Sequence, residues 1–156
     1  MIAPRRFLAP TLAGLVVLLV VGWATREVAF ARERAAVVES KTVALDRVKM
    51  TPAMFEGKRS GEVGLYLEGD TPASAKFATG RFVIDPGKTP HKPHTHAEEE
   101  VMIIESGTGE IFCDGKTTKV GPGSVMYTAP DAPHGIDNTG DKPLVFYFVK
   151  WASKGK

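Results

Sequence analysis

A single cysteine, Cys113, stands in 156 residues. Intrachain disulfides and thiolate metal clusters are therefore excluded, and any metal this chain holds must be held through nitrogen and oxygen. An excess of one charge is also missing from most of the chain. Residues 41–156 carry 15 Lys+Arg against 15 Asp+Glu, so the formal +2 arises in residues 1–40, where Arg5, Arg6, Arg26, Arg32 and Arg34 outnumber Glu27, Glu33 and Glu39. A neutral body offers no electrostatic footprint for DNA or RNA, and no nucleic-acid partner is expected. With 43% hydrophobic residues the chain can build one core, and too little is left over for a second domain.

Long apolar runs are missing too, with one exception. Residues 7–24 read FLAPTLAGLVVLLVVGWA, 18 residues without a charge. That length spans a bilayer as a helix, which needs about 17–25 residues, and exceeds the usual signal-peptide core of about 7–15. The length favours a signal anchor, while Pro10 and the Ala29-Phe30-Ala31 pattern keep a cleaved signal peptide open. On either reading the following domain is membrane-anchored or exported to the periplasmic or extracellular side, although Arg26, Arg32 and Arg34 blunt the charge asymmetry that sets orientation. Residues 25–40 lack Gly and Pro and read as a linker, helical or frayed.

From residue 41 the texture changes: 14 of the 16 glycines and 9 of the 11 prolines fall here, between short runs such as EVGLYLE, GRFVI, EVMII, EIFC, SVMYT and LVFYFVKW. Short β-prone runs at close spacing predict an all-β barrel or sandwich over residues 41–156. Asp114-Gly115 marks a tight hairpin and Gly121-Pro122-Gly123 ends the next strand. After residue 76 the order of elements reads as a regular meander of hairpins.

Three of the four histidines, His91, His94 and His96, lie close together, and His134 follows 38 residues after His96. If residues 94–100 run as a strand, His94, His96 and Glu100 share one face. Two imidazoles and a carboxylate suit Fe, Mn, Ni, Cu, Co or Zn. An isolated H-x-H pair is more simply a pair of surface histidines, so the surrounding residues must decide. Glu98 and Glu99 compete with Glu100 as the carboxylate, His134 after Pro133 could merely close a turn, and His91 reads as a solvated loop residue that could also touch metal or substrate. Cys113 reads as a small buried hydrophobe.

The surroundings are specific. In PGKTPHKPHTHAEEEVMIIESGTG, His94 and His96 are followed by three residues, then Glu100, then six residues, then Gly107. This resembles the first motif of the cupin superfamily, apart from one extra residue between Gly87 and His94. In GPGSVMYTAPDAPHGIDNTG, the positions of Gly123, His134 and Asn138 match the second cupin motif, with Ala129 where the motif has Pro and Asp131 where it has Gly. The resemblance covers roughly residues 60–150. It implies a single cupin (jelly-roll) β-barrel, here preceded by an N-terminal hydrophobic helix, with a divalent metal ion bound by His94, His96, Glu100 and His134; Asn138 belongs to the motif without being a ligand.

The resemblance also implies a wide range of chemistry: dioxygenases of the quercetinase type, decarboxylases, lyases and isomerases. Met102 and Ile104 follow Glu100 on the inward face and predict an apolar pocket for an aromatic or flavonoid-like molecule, which favours a dioxygenase. No second acid/base group stands out, since Arg81, Tyr66 and Tyr127 read as strand-rim positions. A non-catalytic cupin that binds a small ligand is the alternative. The aromatic run Phe146, Tyr147, Phe148 and Trp151 is apolar on both strand faces, which core packing alone would explain; the resemblance to cupins, which often pair through such strands, implies a homodimer as the alternative.

Overall fold

The computed structural model describes residues 37–155. The expected membrane segment at residues 7–24 and most of the linker lie outside the described residues. Among the described residues, no helix is long and apolar enough to cross a membrane.

Among the described residues, a 3₁₀ turn, Leu45–Arg47, precedes nine strands. These are β1 (Thr51–Phe55), β2 (Lys58–Gly69), β3 (Ser74–Ile84), β4 (Glu99–Ser106), β5 (Gly109–Cys113), β6 (Lys116–Val120), β7 (Val125–Thr128), β8 (His134–Asp137) and β9 (Leu144–Ser153). They form a six-stranded sheet in the order β1-β2-β3-β9-β4-β7 and a three-stranded sheet in the order β6-β5-β8. All ladders are antiparallel.

The expected all-β architecture is present, but the expected meander after residue 76 is not. The neighbours of β3 are β2 and β9, and β4 pairs with β9 and β7. The reason lies in the chain between β3 and β4: Pro86, Pro90 and Pro93 deny it a ladder, so it crosses as a loop and leaves the edge of β3 to the apolar β9. Residues 37 and 38 already touch the domain, through a Val37–Asp70 bridge and a 2.7 Å hydrogen bond from Val38 N–H to the Asp70 carbonyl.

Turn chemistry fixes the hairpins. Asp114 and Gly115 both have positive φ (47° and 81°), and so do Glu56 and Gly57 (49° and 74°). Two such residues in a row give the turn whose twist matches the flanking strands, setting the Cys113–Lys116 and Phe55–Lys58 pairs.

Strand alternation places the core between the two sheets. Ile84, Met102, Ile104, Met126, Leu144 and Phe146 come from the large sheet, and Ile111 and Ile136 from the small one. Burying each such side chain contributes about 1.5–3 kcal/mol. Phe82 and Phe146 stack with ring centroids 5.5 Å apart. Gly80 sits opposite Phe148, and a Cβ there would come within 2.6 Å of that ring, so the glycine makes room for an inward-pointing aromatic. On the outer face Ile103, Val125 and Tyr127 remain exposed.

A histidine cluster above an apolar cavity

Each of the four expected ligands is placed by a separate device. His94 and His96 do not lie in a strand, as strand parity assumed; they end the loop from β3 to β4, where prolines break the ladder. His94 is instead fastened to His134 by two backbone hydrogen bonds of 3.0 Å, an isolated bridge joining the loop to the start of β8. Glu100 points inward from β4 and His134 inward from β8. The imidazoles of His94, His96 and His134 each bring a nitrogen within 4.8 Å of the others.

Glu100 is the carboxylate that enters this cluster. Its Oε2 lies 2.9 Å from His96 Nε2 and 3.3 Å from His134 Nε2. Glu99 turns away and accepts a 2.9 Å hydrogen bond from the Tyr127 hydroxyl. Glu98 pairs with Lys76 at 3.2 Å. Burial would raise the Glu98 carboxyl, but the Lys76 hydrogen bond and a backbone hydrogen bond hold it below its usual range.

The outer nitrogens of two histidines are fixed by carbonyls. His96 Nδ1–H donates to the Glu98 carbonyl at 2.9 Å, and His134 Nδ1–H donates to the Ala132 carbonyl at 2.9 Å. With those protons assigned by their acceptors, both Nε2 atoms carry a lone pair. His96 Nε2 then faces the Glu100 oxygen at 2.9 Å, lone pair to lone pair, unless a proton or a metal ion lies between them. His134 Nε2 has no hydrogen-bond partner although the residue is fully buried; its 3.3 Å approach to Glu100 is not in hydrogen-bonding geometry. Thr128 Oγ1, on the residue directly opposite Glu100 in β7, is the other buried side-chain atom without a partner among the described residues.

Buried polar groups are paired as a rule, and a bound metal ion is one of the accepted explanations for an orphan. Ligating histidines commonly donate their second N–H to a carbonyl, as His96 and His134 do. Zinc–imidazole bonds of about 2.1 Å put two ligands at most about 4.2 Å apart, so a small closure of the widest pair accommodates an ion. The residues present fit a divalent metal.

His94 is exposed. Its pKa is nonetheless pushed down from 6.5 to about 4, first by loss of hydration among the surrounding rings and then by His91, His134 and His96; Glu100 opposes the shift. A neutral imidazole at working pH is the form that binds metal. His91 is more than a solvated loop residue: its ring stands edge-on to His94, 4.2 Å between centroids.

His94, His96 and Glu100 of the cluster line an open cavity of about 160 Å³. Val63, Phe82, Met102, Phe146 and Phe148 supply apolar walls, with His91 and Lys150 beside them. Met102 lines the cavity as expected, whereas Ile104 is buried in the core and does not. Arg81, Tyr66 and Tyr127 are outside it: Arg81 pairs with Glu105 at 3.0 Å, Tyr66 packs near Tyr147, and Tyr127 holds Glu99. Lys150 was missed by the sequence argument. Its signal is parity, since Leu144, Phe146, Phe148 and Lys150 alternate along β9, and it becomes readable once β9 has a register.

Two antiparallel sheets around an inward-facing His/Glu cluster define a double-stranded β-helix. Residues 80–150 match the model of the cupin domain family. An uncharacterized protein of Streptomyces coelicolor is 32% identical over 81 residues, covering 51% of this chain and 73% of the relative. The chain belongs to the cupin family. An RmlC-like cupin from Shewanella frigidimarina superposes with TM-score 0.58 at 11% identity, over 78% of this chain and 96% of its own. A Thermotoga maritima protein described as a predicted oxalate decarboxylase gives TM-score 0.56 at 24% identity, over 72% and 99%. These two likenesses show the fold. This chain spans about half (49%) of a further solved protein, from Acidithiobacillus ferrooxidans, at 27% identity and TM-score 0.45.

Proposed function

We propose that this cupin is a divalent-metal-dependent enzyme acting on a small organic molecule, its ion held by His94, His96, Glu100 and His134. The observation that carries the reading is the orphaned Nε2 of fully buried His134, aimed at a cluster of two further imidazoles and Glu100 at the mouth of an apolar cavity. A bound ion supplies Lewis-acid polarisation of a substrate oxygen, or dioxygen activation if it is redox-active. The chain's own residues orient and exclude: Phe82, Phe146 and Phe148 hold the apolar part of a ligand and keep water away, and the Glu98 and Ala132 carbonyls keep His96 and His134 in one tautomer.

Cavity size sets how much of a ligand is enclosed: an enclosed cavity of about 150 Å³ accepts benzene, so about 160 Å³ covers roughly one ring, and the open side leaves room for the rest of a larger molecule. The apolar lining supports oxygenative cleavage of a small aromatic or enolic molecule over work on a sugar. Lys150 supports a second reading, because a cationic group beside the cluster can serve the acid/base needs of a decarboxylase, lyase or isomerase. A non-catalytic ligand-binding cupin is the third.

The test is metal content and dioxygen uptake. Protein purified without a histidine tag is expected to carry close to one Fe, Mn, Ni, Cu, Co or Zn per chain, and His94→Ala and His134→Ala to weaken that binding by about 10- to 100-fold or more. Metal binding undiminished in both variants overturns the site. Uptake of dioxygen with single-ring catechols supports the oxygenase; bound metal with turnover but no uptake moves the reading to the acid/base chemistries.

A further inference from the structure

Lys150 is out of place in its strand. Along β9 the inward positions are Leu144, Phe146, Phe148 and Lys150, and the first two are buried outright. In the ladders Lys150 lies directly opposite Glu100 on one side and Ala78 on the other. Residues directly opposite share a face of the sheet, so the Lys150 side chain leaves the strand on the same face as Glu100, and Lys150 lines the same cavity as His91, His94, His96 and Glu100. It is the one Lys or Arg in that lining.

A cation on an apolar, half-buried wall loses hydration and needs an anion in return. The nearby carboxylates are engaged elsewhere. Glu100 turns its Oε2 to His96 and His134, Glu98 is held by Lys76, and Glu99 is held by Tyr127 on the opposite face. Among the described residues no ion pair joins Lys150 to any acid. The positive charge is thus presented to whatever fills the cavity.

We propose that Lys150 recognises an anionic group on the ligand, so that the cavity takes small apolar carboxylates, one ring or a short chain bearing a single carboxylate, in preference to neutral molecules of the same shape. The inference builds on the ligand-binding role given to this cavity above and deepens it by naming the ligand class. The aromatic walls hold the apolar part, the cavity encloses about one ring of it, and the carboxylate forms a charge-assisted hydrogen bond with the ammonium.

The probes are benzoate and its neutral isostere benzamide, titrated calorimetrically into the full-length protein, both metal-free and loaded with Co²⁺. Wild-type protein is expected to bind benzoate about tenfold or more tightly than benzamide in both forms, the scale of one charge-assisted hydrogen bond. In metal-free protein Lys150→Met, which keeps the apolar stem, is expected to remove the preference without lowering the thermal transition, and without weakening Co²⁺ binding when the metal is added, and Lys150→Arg to retain most of the preference. Equal binding of the two probes by wild type, no benzoate binding at all, or an undiminished preference in metal-free Lys150→Met overturns the proposal. Should Lys150→Met fail to fold, the wild-type comparison and Lys150→Gln still decide.

The two readings fail separately. Loss of the benzoate preference in metal-free Lys150→Met, with Co²⁺ binding indifferent to His94→Ala and His134→Ala, leaves the anion site standing and removes the metal site. Histidine-dependent Co²⁺ binding with no benzoate preference in wild type does the reverse.

Discussion

Asn138 touches no other member of the cluster, yet it holds the scaffold that presents it. Fully buried, its amide donates to the Ile84 carbonyl at 2.9 Å and the Lys142 carbonyl at 2.8 Å, its Oδ1 accepts from Gly140 N–H at 3.0 Å, and its own N–H donates to the Lys88 carbonyl at 2.9 Å. One side chain thus ties the end of β3 to the β8–β9 connection, and its backbone ties in the loop that carries His94 and His96. Asn138→Ala leaves the buried Ile84 carbonyl without its amide donor, at a cost of about 1–3 kcal/mol. The expected outcome is a thermal transition lowered by several degrees and metal bound more weakly; an unchanged transition in calorimetry would show that the three bonds carry no net stability. At this scale the sequence was informative through the resemblance to the two cupin motifs, which singled out His94, His96, Glu100, His134 and Asn138 where same-face parity alone left alternatives open. Lys150 could not be read this way, because its meaning depends on which face of β9 turns inward.

The glycines at the ends of the first motif separate two uses of the residue at the level of turns and strands. Gly107 follows β4 with φ of 81°, and a Cβ there would come 2.4 Å from the Pro143 carbonyl oxygen and 2.7 Å from Leu144 Cα. Gly87 also has positive φ, 67°, but nothing lies within 4 Å of its would-be Cβ. Gly87→Ala therefore meets only the left-handed backbone penalty of about 1–2 kcal/mol, whereas Gly107→Ala adds a backbone collision that separates β4 from the start of β9. Denaturant titration should find Gly107→Ala the more damaging by about 1 kcal/mol or more; equal losses would mean that the contact to Pro143 relaxes freely. The same elements show where sequence reasoning stopped. The apolar runs became β2, β3, β4, β5, β7 and β9. Strand β1 escaped notice because Pro52 and polar neighbours mask it, which an edge strand tolerates. The H-x-H alternation at residues 94–96 imitates a strand, while Pro86, Pro90 and Pro93 before it make residues 85–98 a loop.

For the whole molecule, local patterns named the class of fold but not the order of its strands. A meander is what consecutive hairpins suggest; β9 instead inserts between β3 and β4, a pairing of residues far apart in the chain that no local window contains. The reading of residues 7–24 has the opposite character, since it needs no partner segment. Nine Leu and Val residues together with Phe7 each contribute about 0.3–0.6 kcal/mol towards insertion, roughly 3–6 kcal/mol in all, with no charge to oppose it. We propose that this segment tethers or exports the cupin domain, which would place the cavity outside the cytoplasm. Carbonate washing of membranes should leave the full-length protein in the pellet. A Leu15→Arg/Val20→Arg variant, which adds about 5–7 kcal/mol at the centre of the span, should release it. Recovery of a shortened, soluble, exported protein would instead identify a cleaved signal, and recovery of the intact wild-type chain in the cytosol would refute both forms of the reading. The result also bears on the metal, because a domain that receives its ion outside the cytoplasm selects by the supply there; a His/Glu site of this kind accepts several first-row metals and does not by its ligands alone choose among them.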